Sequence, residues 1–310
     1  MKHLFIAILF LLLSTTVYST EISLQVLGSG GPIADDARAS SGYVIRLDGR
    51  GRILIDAGGG IFQRFGEAGL KMDDLTFVGL THFHTDHSSD FPALMKSAYF
   101  GDKNSPLYIA GPAAEGKFPG LIDWLSALFA PGKGAYAYLS GYIDGDADPF
   151  VLMPVEIPLE EGRLSAVTSF ESFSVTALPV PHGPVPSLAY MIKIGTIKIV
   201  ISGDQNLSDP AFVAFVKNSD LWVMPLPIPE GAGRVARNLH ALPSKIGEVA
   251  AKAGVKTLLL SHFMARSLAD LDVNVALVKK QFKGQLLLAE DLQQWDLDIK
   301  AADKGWFITP

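Results

Sequence analysis

The chain has 310 residues, 48% of them hydrophobic and 19% charged, with 30 Gly, 19 Pro and no Cys. This is a core-rich globular composition with many turns, and it excludes disulfide staples and a lipid-modified cysteine. A formal charge of -6 argues against a broad basic face for nucleic acid.

Residues 1–19 read as a signal peptide. Lys2 precedes ten apolar residues, Leu4 to Leu13, and Val17-Tyr18-Ser19 resembles a cleavage site. The run is too short to span a bilayer. The expectation is a single domain over 20–310 that is periplasmic or secreted, with no membrane anchor after cleavage.

Glu21 to Leu27 reads as a first strand, ending in the close-approach loop Gly28-Ser29-Gly30-Gly31-Pro32. Without a following Lys-Ser/Thr this loop is no phosphate cradle. Ser41 to Asp48 and Arg52 to Asp56 read as a hairpin, followed by glycines and a helix to about Leu70. Asp56 stands at a strand end, placed either to orient a ligand histidine or to cap.

Leu75 to Leu80 is short, apolar and β-forming, and it runs into His82-Phe83-His84-Thr85-Asp86-His87. Ser89 to Phe100 then reads as a helix capped by Ser88 or Ser89. Three imidazoles and a carboxylate between a buried strand and a helix sit where α/β proteins place their chemistry. The set suits zinc, or manganese or iron.

Pro106–Ala110 is a strand and Leu121–Phe129 a helix. Pro131 to Pro149 reads as an irregular loop whose Tyr136, Tyr138 and Tyr142 either wall a pocket or pack internally. Further strands are read at Val151–Ile157, Phe173–Val180, Leu188–Ile194, Ile197–Ser202, Trp222–Leu226, Thr257–Leu260 and, last, Gln285–Ala289. Helices are read at Pro243–Ala253 and Asp272–Phe282. His182, Asp204 and His262 each follow an apolar strand, as do His82, His84, Asp86 and His87. The elements suggest two sheets packed face to face with helices outside.

H-x-H-x-D-H followed by His182, Asp204 and His262 resembles the metallo-β-lactamase superfamily of hydrolases over essentially the whole chain after residue 19. The resemblance implies an αββα sandwich, an α/β fold of two mixed β-sheets. It implies two divalent metal ions, most simply Zn2+: His82, His84 and His182 on the first, Asp86, His87 and His262 on the second, and Asp204 bridging. Within the superfamily the chain resembles the ribonuclease Z-like branch, through Leu27 to Pro32 and through His240 to Arg266. That branch implies His240 beside the reacting ester as a leaving-group donor, Asp86 in the catalytic centre and Arg266 as an anion contact.

The branch's His-Ser-Thr is His240-Ala241-Leu242 here, and its Gly-Asp-Thr is Gly203-Asp204-Gln205. Its tRNA-processing members carry a long arm between the positions of His182 and Asp204, where this chain has room only for a hairpin. Together with the leader and the negative charge, this predicts a secreted, arylsulfatase-like or phosphodiesterase-type hydrolase of sulfate or phosphate esters. The expected partner is a small-molecule ester and not tRNA, with a homodimer left open. The alternatives are a lactonase or other acyl hydrolase and a non-catalytic metal-binding protein.

Overall fold

The computed structural model describes residues 20–145 and 150–297. The expected leader at 1–19 lies outside the described residues. The first half runs β1 (Ile22–Gly28), β2 (Gly42–Leu47), β3 (Arg50–Ile55), α1 (Ile61–Glu67), β4 (Phe77–Gly79), α2 (Thr85–Ser88), α3 (Phe91–Ala98), β5 (Leu107–Pro112), α4 (Leu121–Phe129), α5 (Gly141–Asp144) and β6 (Leu152–Ile157). The second half runs β7 (Ser165–Ser169), β8 (Ser174–His182), β9 (Val185–Ile194), β10 (Ile197–Ile201), α6 (Ala211–Val216), β11 (Leu221–Pro225), α7 (Arg234–Leu239), α8 (Pro243–Ala253), β12 (Thr257–Ser261), α9 (Ala265–Leu268), α10 (Leu271–Gln281), β13 (Gln285–Leu288) and β14 (Gln294–Asp296).

Two mixed seven-stranded sheets result, ordered β14-β1-β2-β3-β4-β5-β6 and β13-β12-β11-β10-β9-β8-β7. Strand periodicity explains how they pack. Ile22, Leu24, Val26, Tyr43, Ile45, Ile53, Ile55 and Phe77 face the second sheet, in one core with Leu188, Tyr190, Ile199 and Val223. The alternate residues Val44, Leu54, Val78 and Ile109 face outward against α1, α3 and α4. On the far side, Phe212 of α6, Ile246 and Val249 of α8 and Val278 of α10 cover the second sheet. Strands buried on both faces read as continuous apolar runs, which is how they appear in the sequence. Each fully buried Leu, Ile or Phe contributes about 1.5–3 kcal/mol, enough in sum to hold a chain without covalent staples.

The β2–β3 hairpin turns at Asp48-Gly49, both at positive φ (50° and 76°), the conformation Asp-Gly favours in two-residue hairpins. The helix expected over Ser89–Phe100 is shorter, Phe91–Ala98, and neither Ser88 nor Ser89 caps it. Asp90 instead accepts the N–H groups of Gly60 and Phe62, both at 2.9 Å, and so caps α1. The segment expected as an irregular loop carries a 3-10 turn at Ala137–Leu139 and α5. Tyr142 of α5 is fully buried and donates to the Met95 carbonyl at 2.9 Å, so it is core and not pocket wall. Tyr136 and Tyr138 are exposed, with Tyr138 against the Lys96 ammonium. Gln285–Ala289 is not the last strand, because β14 follows and pairs antiparallel with β1.

This topology positions the chemistry. β3 and β4 pair parallel, β10, β11 and β12 run parallel in turn, and β8 runs the same way as β10 because each is antiparallel to β9. The ends of β3 and β4 in one sheet and of β8, β10 and β12 in the other therefore each lie on one edge. His182 is the last residue of β8 there, and the segments that follow the other strands carry Asp56, the 82–87 motif, which runs into α2, Asp204 and His262.

Candidate metal centre

The side chains reach the centre from strand ends, from α2, which carries Asp86 and His87, and from the residue after α7, His240. Asp56 and His262 follow β3 and β12 with φ of 63° and 55°, a region non-glycine residues rarely adopt. Each costs of order 1–3 kcal/mol and persists only where contacts hold it. Asp56 is held by three. Its carboxylate accepts the Thr81 N–H at 2.7 Å, the Thr81 hydroxyl at 2.9 Å and the His87 Nδ1–H at 2.7 Å. Of the two sequence readings for Asp56, the structure selects the orienting one. With Nδ1 occupied, His87 presents Nε2 to the centre.

His182 is oriented in the same way: its Nδ1 donates to the Leu239 carbonyl at 2.8 Å, leaving Nε2 inward. Leu239 ends α7, and His240 is the next residue, so one chain segment orients His182 and delivers His240. Thr81 Oγ1 also lies 3.1 Å from His82 Nδ1, so the Asp56–Thr81 pair serves His82 and His87 together. The glycine loop brings Gly31 against His262, where a Cβ would come within 2.8 Å of the imidazole Cε1. Only glycine allows that approach.

All seven groups singled out in the sequence converge, and His240 joins them. His82, His84 and His182 form one cluster; Asp86, His87 and His262 form another. Asp204 lies with His82 and His87 and also with His182 and His240. Its Oδ2 is 3.7 Å from His87 Nε2 and 3.8 Å from both His182 Nε2 and His240 Nδ1, while Oδ1 is 3.4 Å from His262 Nε2. Asp86 Oδ2 is 3.2 Å from His262 Nε2. Arg266 sits at the exposed rim, its Nε donating to the Pro227 carbonyl at 2.9 Å. Sequence reading missed Thr81, the Leu239 carbonyl and α7. Thr81 stood in plain view beside His82, and a hydroxyl directly before a ligand motif was the available signal.

Electrostatics divides the cluster. Burial, reinforced by neighbouring histidines, holds His82 and His84 below the usual imidazole range. Burial also pushes His240 down to about 4, with Asp204 opposing and His262, His182 and Arg266 adding. His240 is therefore neutral at pH 7 and offers a hydrogen bond rather than an imidazolium proton. For His87 burial again disfavours charge, but Asp56, Asp86 and Asp204 outweigh it and raise its pKa. His262 is raised against burial by Asp204 and Asp86. Burial would raise Asp86 and Asp204, yet the surrounding histidines hold both below the carboxylate range.

The donor set fits divalent cations. His182 Nε2 and Asp204 Oδ1 are buried without a hydrogen-bond partner, which costs about 1–3 kcal/mol each if nothing binds them. His87 Nε2 faces His262 Nε2 at 3.1 Å, and His82 Nε2 faces His84 Nδ1 at 3.0 Å. Imidazole nitrogens turned on one another at this spacing suit a shared ion, since nitrogens about 2.0–2.1 Å from zinc sit roughly 3.3 Å apart at a tetrahedral angle.

The family model of the beta-lactamase superfamily domain matches residues 51–263. The chain belongs to the beta-lactamase superfamily. Among its relatives, ribonuclease Z of Mycobacterium marinum is 26% identical over 294 residues, covering 90% of this chain and all of the relative. Ribonuclease Z of Thermobifida fusca is 26% identical over 330 residues, covering 91% of this chain and 96% of the relative. Two solved structures share the fold at a TM-score of 0.68 and 21% identity. They are a metallo-beta-lactamase fold protein, YhfI of Bacillus subtilis (90% of this chain, 100% of that one), and the short form of human tRNase Z (89% and 99%). The expected αββα sandwich is the fold observed.

The same findings overturn other expectations. The prediction of an arylsulfatase-like or small-ester hydrolase with tRNA excluded fails, because relatives aligned along nine-tenths of the chain are named for RNA cleavage. The exclusion of tRNA leaned on whole-chain charge and a missing arm. Net charge averages over the surface, whereas Arg237 and Lys245 line a cavity with His240 beside the centre. The periplasmic or secreted placement is corrected on the same finding, because the relatives aligned along nine-tenths of the chain are named ribonuclease Z.

Proposed function

We propose that this chain is a metal-dependent phosphodiesterase of the ribonuclease Z type that cleaves the 3′ extension from precursor tRNA. The observation that carries this is the pair of three-residue clusters joined by Asp204, in a chain collinear with ribonucleases Z over nine-tenths of its length.

In this reading His82, His84 and His182 would hold one divalent ion and Asp86, His87 and His262 the second, with Asp204 touching both. Two such ions supply an activated water and offset charge on the phosphoryl group. The protein does the rest. Asp56 and Thr81 lock the ring orientations of His87 and His82. Asp204, anchored where Ser187 Oγ donates to its carbonyl at 2.9 Å, sets the spacing between the clusters. Neutral His240 donates a hydrogen bond to the departing oxygen, a poor leaving group in RNA that gains most from a donor. Arg266 at the rim draws a phosphate toward the centre.

Because β9 and β10 turn directly at Gly195-Thr196, no arm extends from this hairpin to grip RNA. That task falls to Arg237 beside His240, while Lys245 in the same cavity is paired with Glu248 at 3.1 Å. The test is a 3′-extended precursor tRNA, end-labelled and incubated with zinc- or manganese-loaded protein. A discrete cut at the 3′ end, lost in Asp204→Ala, is expected. An uncut precursor with fully metal-loaded protein would overturn the reading.

A further inference from the structure

Beside His84 the molecule has a second recess that the metal centre does not account for. Phe83, His84, Phe118, Pro119, Trp124, Val185 and Pro186 enclose a cavity of about 190 Å³. Whole-ligand sites run to roughly 300–1,000 Å³, so this one is sized for a single ring system. Its walls come from both halves of the sandwich. Phe83 and His84 follow β4, Phe118 to Trp124 lead into and lie on α4, and Val185-Pro186 open β9.

The walls are packed against neighbouring elements. The Phe83 ring lies on Gly111, where a Cβ would come within 3.0 Å of Cζ, and stacks on Trp124 with centroids 5.0 Å apart and planes 11° from parallel. Trp124 in turn packs on Phe91 at 5.6 Å. Val185 and Pro186 are buried and pinned by the β8–β9 ladder, opposite His182 and Pro181. Phe83, Phe118 and Trp124 stay half-buried, and all three line the cavity. In the lining side chains only the His84 imidazole and the Trp124 indole N–H can hydrogen-bond. Such a recess selects a flat ring without reading its edge.

We propose that this recess is a nucleobase subsite, taking the unstacked base of a nucleotide next to the scissile phosphate. The inference rests on the RNA-cleaving reading above and adds to it how one residue of the substrate is gripped. His84 is the link: it belongs to the His82–His84–His182 cluster and is also a wall of the recess. A phosphate at the centre therefore has its own or an adjacent base within reach of the aromatic faces. Aromatic stacking tolerates every base, so the subsite grips without imposing sequence preference.

Calorimetry on the zinc-loaded full chain tests this with adenosine 5′-monophosphate, cytidine 5′-monophosphate and ribose 5-phosphate. Both nucleotides should bind roughly 5- to 150-fold more tightly than ribose 5-phosphate, the range expected of base–aromatic stacking. Trp124→Ala and Phe118→Ala should bring that ratio down toward one with zinc content retained, and Trp124→Phe should keep most of it. Phe118 is the safeguard if Trp124→Ala folds poorly. Equal binding of all three ligands by the unaltered chain, or a base preference that survives both alanine variants, would overturn the subsite. The two readings separate cleanly. Lost preference in the variants with precursor tRNA uncut by the parent keeps the recess as a base site and removes the tRNA activity. Precursor cleavage with an unchanged base preference does the reverse.

Discussion

Replacing Asp56 by Asn removes one charge and one acceptor from beneath the metal centre while keeping the side chain's shape. The backbone should accept the change, because asparagine is among the few residues that tolerate the left-handed region where Asp56 sits at φ 63°. The carboxylate receives three hydrogen bonds, two from Thr81 and one from His87. An amide offers one oxygen and two N–H groups, so at least one buried donor loses its acceptor, at about 1–3 kcal/mol. If the amide N–H faces His87 Nδ1, the ring must flip or change tautomer, and Nε2 no longer presents a lone pair. Loss of such an orienting partner typically weakens metal binding about 10- to 100-fold, or about 1.4–2.7 kcal/mol, in line with one lost hydrogen bond. Zinc competition against a chromophoric chelator, fitted for two sites, is the assay. One site, that of His87, should weaken by this factor. The other should move less, because His82 feels Asp56 only through Thr81. Unchanged affinity at both sites would refute the reasoning, as would an equal loss at both.

Gly31→Ala should push His262 aside and weaken the Asp86–His87–His262 site, while zinc at the other site is retained in the same competition assay. Zinc should bind more tightly as pH rises from about 6 to about 8. In the metal-free protein His87 and His262 keep their protons above the ordinary imidazole range near 6.5, and the metal must displace them. Chelator competition at several pH values measures this, and a flat profile would contradict it. Asp90→Ala should leave metal content intact and lower stability by about 0.5–2 kcal/mol in urea unfolding, because the N–H groups of Gly60 and Phe62 at the start of α1 lose their acceptor. His240→Ala should keep both metals and slow cleavage roughly 10²–10³-fold for poor leaving groups but much less for nitrophenolate, because a hydrogen bond from the neutral imidazole matters most where negative charge builds on the departing oxygen. An equal loss across a leaving-group series would remove His240 from that role.

Where local chemistry decides an element, the sequence announced it. Pro243 opens α8 and Gly254 ends it in the left-handed conformation, and the expected helix matches residue for residue. The ligand candidates were legible because each polar group directly follows an apolar strand that can only be buried. Other features depend on partners distant in sequence. β7 is a polar edge strand, Ser165–Ser169, with little hydrophobic signal. β14 exists because β1 offers it an edge more than 260 residues away. α7 buries none of its residues, so no apolar stripe marks it, yet it orients His182 and delivers His240. Asp90 looked like part of its own helix and caps another. The tRNA exclusion failed for a related reason: whole-chain charge and the length of one interval say little about how charge is distributed around His240.

The most direct test of the account is a metal titration of activity. Metal-stripped protein, reloaded stepwise with zinc, is assayed on 3′-extended precursor tRNA while bound metal is counted by elemental analysis. Cleavage should climb and level off at two ions per chain, and Asp204→Ala should fail to reach that plateau. Full cleavage by the stripped protein, or two bound ions with the precursor left intact, would contradict it.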